Sequence, residues 1–307
     1  MGAPPSDDVK RPLVSVILPT RDRAKYLGRA VASVLGQSEQ DFELIVVNDA
    51  SSDGTREYLD RLAAQDSRVL VIHNAVAKGG AGARNAGIAR GRGKWIAFLD
   101  DDDEWMPMKL HHQLEALSSN ASAVACSCSY IMNFSSGWSR VVAVPAFLTL
   151  GQLLVDNQLG SSSACMCSSK VLRDIGGFDI KFKSAQDHDL WVRLRQKGDV
   201  AVCGEALVLY HSHRETRITN NMQSQYAGAR HFYLKHRNLM DAPLRRRRLS
   251  YNCFIMSRQA DRALRHRIRY LILSLLNSPM GPALTYARSS VPRLVGDAAL
   301  GSLKLWK

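Results

Sequence analysis

The chain has 307 residues, 46% of them hydrophobic, and a formal net charge of +13. That combination describes a folded protein of one large or two modest domains and excludes fibrous, low-complexity and wholly disordered classes. The charge is uneven: residues 210–307 carry 18 Lys/Arg against 4 Asp/Glu, a net +14, so residues 1–209 sum to −1 and a near-neutral body precedes a basic tail.

Residues 1–11 read as a disordered lead-in without a secretory leader, although Gly2 and Ser6 formally fit a myristoylation pattern. Strands and helices then alternate. Leu13–Thr20 is rich in β-branched residues and is expected to stop at Pro19. Tyr26, Leu27, Ala30, Val31, Val34 and Leu35 recur at helical spacing, and Glu43–Val47 is a second buried strand ending in the polar loop Asn48–Thr55. A helix with Tyr58, Leu59 and Leu62, a third strand at Val69–Ile72 and a helix over Ala81–Ala89 follow. This alternation predicts a doubly wound α/β layer, mostly parallel, with ligands at the carboxyl ends of its strands.

Lys94–Leu99 is the next strand, and it runs into Asp100, Asp101, Asp102 and Asp103. Four adjacent carboxylates repel one another unless cations compensate them, and clustered oxygen ligands suit Mg²⁺ or Mn²⁺. The competing reading is a solvated loop in which one Asp caps the helix after Pro107. Gly79, Gly80 and Gly82 do not make a dinucleotide fingerprint, because they follow the third strand and lack the third glycine. They instead lead to a helix that carries Arg84 and Asn85 toward the strand ends, with Lys78 and Arg84 able to meet phosphate.

Beyond a helix with Leu110, Leu114 and Leu117, the stretches 121–130, 138–144 and 161–168 alternate as an antiparallel or mixed extension of the sheet would. Phe178 plugs a Gly-Gly turn. Ala185–Leu194 opens an amphipathic helix, where one of Asp187 and Asp189 is expected to cap and the other, Asp187, to serve as a base. Strand character resumes at Val200–Val202 and Ala206–Leu209, and His213 at its end is a candidate metal ligand. The six cysteines form two Cys-x-Cys pairs plus Cys203 and Cys253, off-pattern for zinc, and read as reduced buried thiols of a cytoplasmic protein.

The ordered set Val-Ile-Leu-Pro-Thr-Arg-Asp-Arg, Val-Val-Asn-Asp-Ala-Ser-Ser-Asp-Gly-Thr, Gly-Ala-Arg-Asn-Ala-Gly-Ile, Phe-Leu-Asp-Asp-Asp-Asp, Gly-Gly-Phe-Asp and Gln-Asp-His-Asp-Leu-Trp resembles the family 2 glycosyltransferases of the GT-A fold, over residues 12–220. The resemblance implies a nucleotide-sugar-binding half at 12–104, an acceptor-binding half at 105–220 and inverting transfer from a nucleotide sugar. It places Pro19, Thr20 and Arg21 along the nucleotide, Asp49 on the base, usually uracil, and Arg84 and Asn85 near the diphosphate. Asp100 and Asp101 join the donor site, Asp100 and Asp102 form the metal-binding pair with Asp103 in support, and Asp187 falls at the catalytic base. Many members have Glu before that Asp, where this chain has Gln186. The acceptor expected is a saccharide or a polyprenyl-linked saccharide.

Residues 221–307 form a basic region: a helix over 223–235, then Arg245–Arg248 and a long run in which Arg258, Arg262, Arg265, Arg267 and Arg269 interleave with Phe254, Ile255, Leu264, Ile268, Leu271, Ile272, Leu275 and Leu276. One reading is an amphipathic helix lying on the anionic cytoplasmic membrane face, and the other is a helix packed on the protein with a solvated basic side. No run approaches the roughly 18 apolar residues of a membrane span. A nucleic-acid-binding protein is the rival class suggested by the basic third, but no binding motif supports it and no nucleic-acid partner is expected. A sugar nucleotidyltransferase would share the layer and the acids, yet lacks its Gly-rich first loop here.

Overall fold

The computed structural model describes residues 11–134, 136–212, 222–257 and 264–277. Four parallel strands come first: β1 (Val14–Thr20), β2 (Phe42–Asn48), β3 (Val69–His73) and β4 (Trp95–Phe98). They are joined by α1 (Ala24–Leu35), α2 (Thr55–Gln65) and α3 (Gly79–Arg90). β1 and β2 are buried at nearly every position, as continuous apolar strands covered on both faces must be. Leu27, Ala30, Val31 and Val34 give α1 the apolar stripe that buries it, each large side chain contributing about 1.5–3 kcal/mol.

The second half contains β5 (Glu104–Trp105), α4 (Lys109–Ser118), β6 (Ala123–Phe134), β7 (Ser139–Val142), α5 (Leu150–Val155), β8 (Met166–Ser168), α6 (Ser169–Asp174), α7 (Gln186–Arg195) and β9 (Asp199–Ser212). The sheet order is β3-β2-β1-β4-β8-β6-β9-β5, with β7 on β6. β8 is antiparallel to both β4 and β6, so it joins the parallel layer to the extension. This is the α/β, doubly wound and mostly parallel GT-A-type sheet that the sequence implies; its extension is mixed, antiparallel where β8, β7 and β5 pair but parallel between β6 and β9.

Several local expectations need correction. Pro19 does not end β1; it lies opposite Val47, beyond the last β1–β4 pair at Ile17 and Phe98, where one edge of the strand is unpaired and a missing donor is tolerated. The stretch 161–168 is a strand only from Met166, because Ser162–Ala164 turn as a 3₁₀ helix. No aspartate caps α4: its first residue is Lys109, its N-cap is Met108, and no side-chain bond is made there.

Two compact units divide the chain: residues 1–153 with 157–218, and residues 154–156 with 219–307. The described part of the second unit holds α8 (Met222–His236), α9 (Ala242–Ser257) and α10 (Leu264–Asn277). The long basic run is therefore two helices. Ser250 and Ser274 donate their hydroxyls to each other's carbonyls at 2.8 and 2.9 Å, and Arg267 Nε donates to the Ser257 carbonyl, so α9 and α10 pack antiparallel. Arg248, the last of the four consecutive arginines, is buried: it donates to the Val155 carbonyl at 2.8 Å and stacks over Phe232 at 4.2 Å. Arg258 and Arg262 lie outside the described residues.

Candidate active site

The polar loops that follow β1, β2 and β4 are tied to one another. Thr20 Oγ1 donates to Asp101 at 2.7 Å, and the Asp49 amide donates to the Thr20 carbonyl at 2.9 Å. Ser52 donates its amide to Asp22, whose own amide donates to Ser51. Strand ends in a parallel sheet present such loops on one side, and contact between them follows from the β1-centred strand order. Asp22, Ala50 and Ala185 have φ of 52°, 59° and 59°. A left-handed backbone costs a non-glycine residue roughly 1–2 kcal/mol. All three sit in loops of this site, where such strain concentrates.

Asp49 is buried and accepts from Asn74 Nδ2 at 2.8 Å and from the amides of Lys78 and Gly79 at 2.8 Å each. Three donors against about four lone-pair positions leave room for one more. Arg21 and Lys78 are exposed, Arg21 beside Asp22 at 3.5 Å. The Asn85 side chain is engaged with the backbone: its amide oxygen accepts from the Phe178 N–H and its amide nitrogen donates to the Phe178 carbonyl, both at 2.8 Å. It thereby locks the Gly176-Gly177 turn, where Gly177 has φ of 65° and a Cβ would meet Asn85 Oδ1 at 2.5 Å. Only glycine fits there.

The acidic run is held residue by residue. Asp100 is ion-paired to Arg84 Nη2 and accepts from Ser162 Oγ at 3.2 Å. Asp101 is buried between Thr20 and Arg23, and burial pushes its carboxyl up to about 7, with the Thr20 hydroxyl and the Arg23 charge pulling the other way. Asp102 accepts from Arg23 Nη1 at 2.7 Å, and Asp103 from Ser163 Oγ at 2.6 Å. The repulsion that the sequence makes evident is thus opposed by two arginines and by the hydroxyls of Thr20, Ser162 and Ser163. Of these, Arg84 and Thr20 are named as site residues from the sequence; Arg23 stands in a recognised motif without a role, and Ser162 and Ser163 carry no signal at all.

Arg84 also reaches the other side of the site. Its Nη1 donates to Gln186 Oε1 at 3.2 Å, its guanidinium lies 5.3 Å from the Phe178 ring centre, and its buried Nε has no hydrogen-bond partner among the described residues. Gln186 is the first residue of α7, and Asp187 follows it. Neither Asp187 nor Asp189 caps that helix: the N-cap is Ala185 without a side-chain bond, and Asp189 is fully buried against Arg193 at 2.8 Å. Asp187 Oδ1 accepts from the His188 amide at 2.8 Å and Oδ2 from Asn157 Nδ2 at 3.1 Å. Burial raises its carboxyl above the ordinary value, against the His188 N–H and the Arg84 charge. A carboxylate so placed accepts a proton more readily than one in water.

Asp100 and Asp102 offer the hard oxygens that Mg²⁺ or Mn²⁺ takes, and such ions use one or two carboxylates and draw the rest of their shell from substrate phosphate and water. The donor set therefore fits a metal held jointly with a diphosphate. Among the described residues no three His, Cys, Asp or Glu side chains gather to hold an ion without one. His213, the third expected ligand, lies outside the described residues; its neighbour His211 is engaged with Glu104 at 2.7 Å.

A parallel layer thus carries an acidic loop at the end of β4, and the Asp187 carboxyl is linked to that loop through Gln186 and Arg84. The model of glycosyl transferase family 2 matches residues 15–176, and the chain belongs to that family; it is a glycosyltransferase. It is 32% identical to the Bacillus subtilis glycosyltransferase TuaG, which is assigned to teichuronic acid biosynthesis, over 69% of this chain and 81% of that one. It is 33% identical to WfgD of Escherichia coli, a UDP-Glc:α-D-GlcNAc-diphosphoundecaprenol β-1,3-glucosyltransferase, over 62% and 74%. Among solved structures it superposes on Staphylococcus aureus TarS 1–349 in complex with UDP-GlcNAc with a TM-score of 0.60 at 16% identity, covering 90% of this chain and 76% of that one. The mannosyltransferase PcManGT of Pyrobaculum calidifontis, in complex with GDP-Man and Mn²⁺, gives 0.62 at 17% identity, covering 97% and 82%.

Proposed function

We propose that the protein is an inverting glycosyltransferase that moves a sugar from a UDP-sugar to a saccharide or polyprenyl-linked saccharide acceptor in the synthesis of a bacterial surface glycan. The observation that carries the reading is the Asp187 carboxyl, raised by burial, held by Asn157 and the His188 amide, and linked through Gln186 and Arg84 to the acidic loop. The acceptor and donor named for WfgD and the UDP-GlcNAc bound to TarS support the choice of nucleotide and of acceptor class.

In this reading Asp187 takes the proton of the attacking acceptor hydroxyl as that oxygen displaces the nucleoside diphosphate at the anomeric carbon, and single displacement inverts the configuration. Thr20 and Asp101 border the nucleotide with Pro19 and Arg21, the remaining acceptor position of Asp49 meets the base, and Arg84 and Lys78 face the phosphates. Asp100 and Asp102 would hold Mn²⁺ or Mg²⁺, which when bound neutralises charge on the departing diphosphate. The half-exposed Trp138 ring, stacked on Phe134 at 4.0 Å, offers the acceptor half an aromatic face of the kind sugar rings pack against.

Peripheral attachment to the cytoplasmic membrane face belongs to the same proposal. Ile268, Leu271, Ile272 and Leu276 form an exposed apolar stripe on α10 with Arg265 and Arg269 exposed beside it, the composition of an interfacial helix. Among the described residues no helix is long and apolar enough to cross a membrane. Co-sedimentation with anionic vesicles at low salt is expected, and equal recovery without vesicles rejects the attachment. For the donor, thermal stabilisation by UDP-sugars with Mn²⁺ is expected, with about 2.7 kcal/mol at 100 times the dissociation constant. A shift with GDP- or dTDP-sugars instead would replace the nucleotide, and no shift with any would remove the transferase site from these loops.

A further inference from the structure

The family reading leaves Arg23 without a task, yet its guanidinium is bonded to Asp102, one of the two carboxylates proposed to hold the metal. Arg23 is the N-cap residue of α1, in the short loop that follows β1, and its Nη1 lies 2.7 Å from Asp102 Oδ2 and 3.5 Å from Asp101 Oδ1. Asp101 is fixed from its other oxygen by Thr20 at 2.7 Å, and both acids are buried. The Arg23 side chain is 27% exposed, so it has a route away from the acids that Asp101 and Asp102 do not have.

We infer that Arg23 is a resident counter-cation of the acidic loop, which a divalent cation displaces from Asp102 and which then turns to the diphosphate of the donor. The inference rests on the assignment of Asp102 as a metal ligand. A guanidinium at hydrogen-bond distance and a doubly charged ion on the same carboxylate repel each other across a few ångström in a poorly solvated place. Binding of the metal alone therefore has to overcome the Arg23 ion pair. When metal and diphosphate arrive together, the displaced guanidinium gains a new anionic partner suited to its fork of donors. Arg23 in this way keeps the acidic run from flying apart in the donor-free protein and makes metal affinity depend on the nucleotide, so that the ion is held firmly only with substrate present.

The test measures Mn²⁺ binding by the electron paramagnetic resonance signal of the free ion, with no turnover involved, for the full chain without nucleotide and again with UDP. Arg23→Gln is expected to bind Mn²⁺ without nucleotide at least fivefold more tightly than the unaltered protein, and to show a smaller gain on adding UDP. Arg23→Lys keeps the charge and should stay near the unaltered protein, which guards against a general disturbance of the loop; a thermal melt of each variant checks folding. No gain in nucleotide-free Mn²⁺ affinity for Arg23→Gln, whether through equal constants or through absent binding in both, overturns the inference. Failure of the unaltered protein to bind Mn²⁺ even with UDP, or unchanged binding in Asp102→Asn, sinks the metal assignment itself, a different result from equal affinities at an intact site.

Discussion

Two groups of buried charge lie close together in the chain and are treated in opposite ways. Asp100–Asp103 are each matched by a donor brought from elsewhere, Arg84, Arg23, Thr20, Ser162 or Ser163. A few residues on, Lys109 is fully buried with its Nζ 3.7 Å from the Trp105 ring centre and no hydrogen-bond partner among the described residues. Burial lowers its amino group to about 8, and the surrounding thiols of Cys128, Cys165, Cys126 and Cys203 oppose that only in part. Pairing fixes the geometry of the acids, which a site needs, although burial still raises the Asp101 carboxyl; the unpaired amino group gives up part of its proton affinity and is tolerated as packing.

The comparison can be broken most forcefully at the carboxyl that is held by neutral donors. Asp187→Asn should leave donor affinity, read by calorimetry, within twofold and lower turnover by about 10²–10⁴. Since the base must be unprotonated and burial raises its carboxyl, the acid limb of the turnover profile should fall at a pH above the usual carboxylate range. A limb at the ordinary position would show that Asp187 titrates as if in water.

Arg84→Met removes the partner of Asp100 and the tie to Gln186 together. Breaking a buried pair typically costs 3–5 kcal/mol; with Asp100 27% exposed, about 2–4 kcal/mol in urea unfolding is expected here. Lys109→Met should do the reverse. Moving an amino group from 10.5 to about 8 corresponds to roughly 3 kcal/mol, and since the lost contact with Trp105 offsets part of that, the variant should gain about 1–3 kcal/mol at pH 7. The folded wild type binds this proton less tightly than the unfolded chain, so its stability rises from pH 8 toward 10.5 and the advantage of the variant shrinks over the same window. A variant less stable than wild type at pH 7 would mean that Lys109 is a paired charge after all.

The smallest expected effect is at Thr20. Thr20→Val deletes the 2.7 Å bond to Asp101 and should cost about 1–2 kcal/mol. It should also move the Asp101 carboxyl further up, because the hydroxyl is a cause that holds it down. A carboxyl-sensitive infrared titration would follow that movement.

Local pattern alone makes legible the β1–α1–β2–α2–β3–α3–β4 alternation, the polar loops at its strand ends, the run at Asp100–Asp103 and the helix start at Asp187. Each is written in local period or in adjacent residues, and the core that fixes them is apolar wherever the pattern says so. What it left to the tertiary structure is every pairing that gives those loops their chemistry. Arg23 meets Asp102 across 79 residues, Asn85 meets Phe178 across 93, and Arg84 meets Gln186 across 102. Asn157 lies 30 residues before the carboxyl it holds, and Arg248, one of four consecutive arginines, is buried on the Val155 carbonyl. A carboxylate, an amide and a guanidinium look the same in a sequence whether solvated or paired; only the packing of strands and helices brings the partner within hydrogen-bond reach and removes the water that would otherwise take its place.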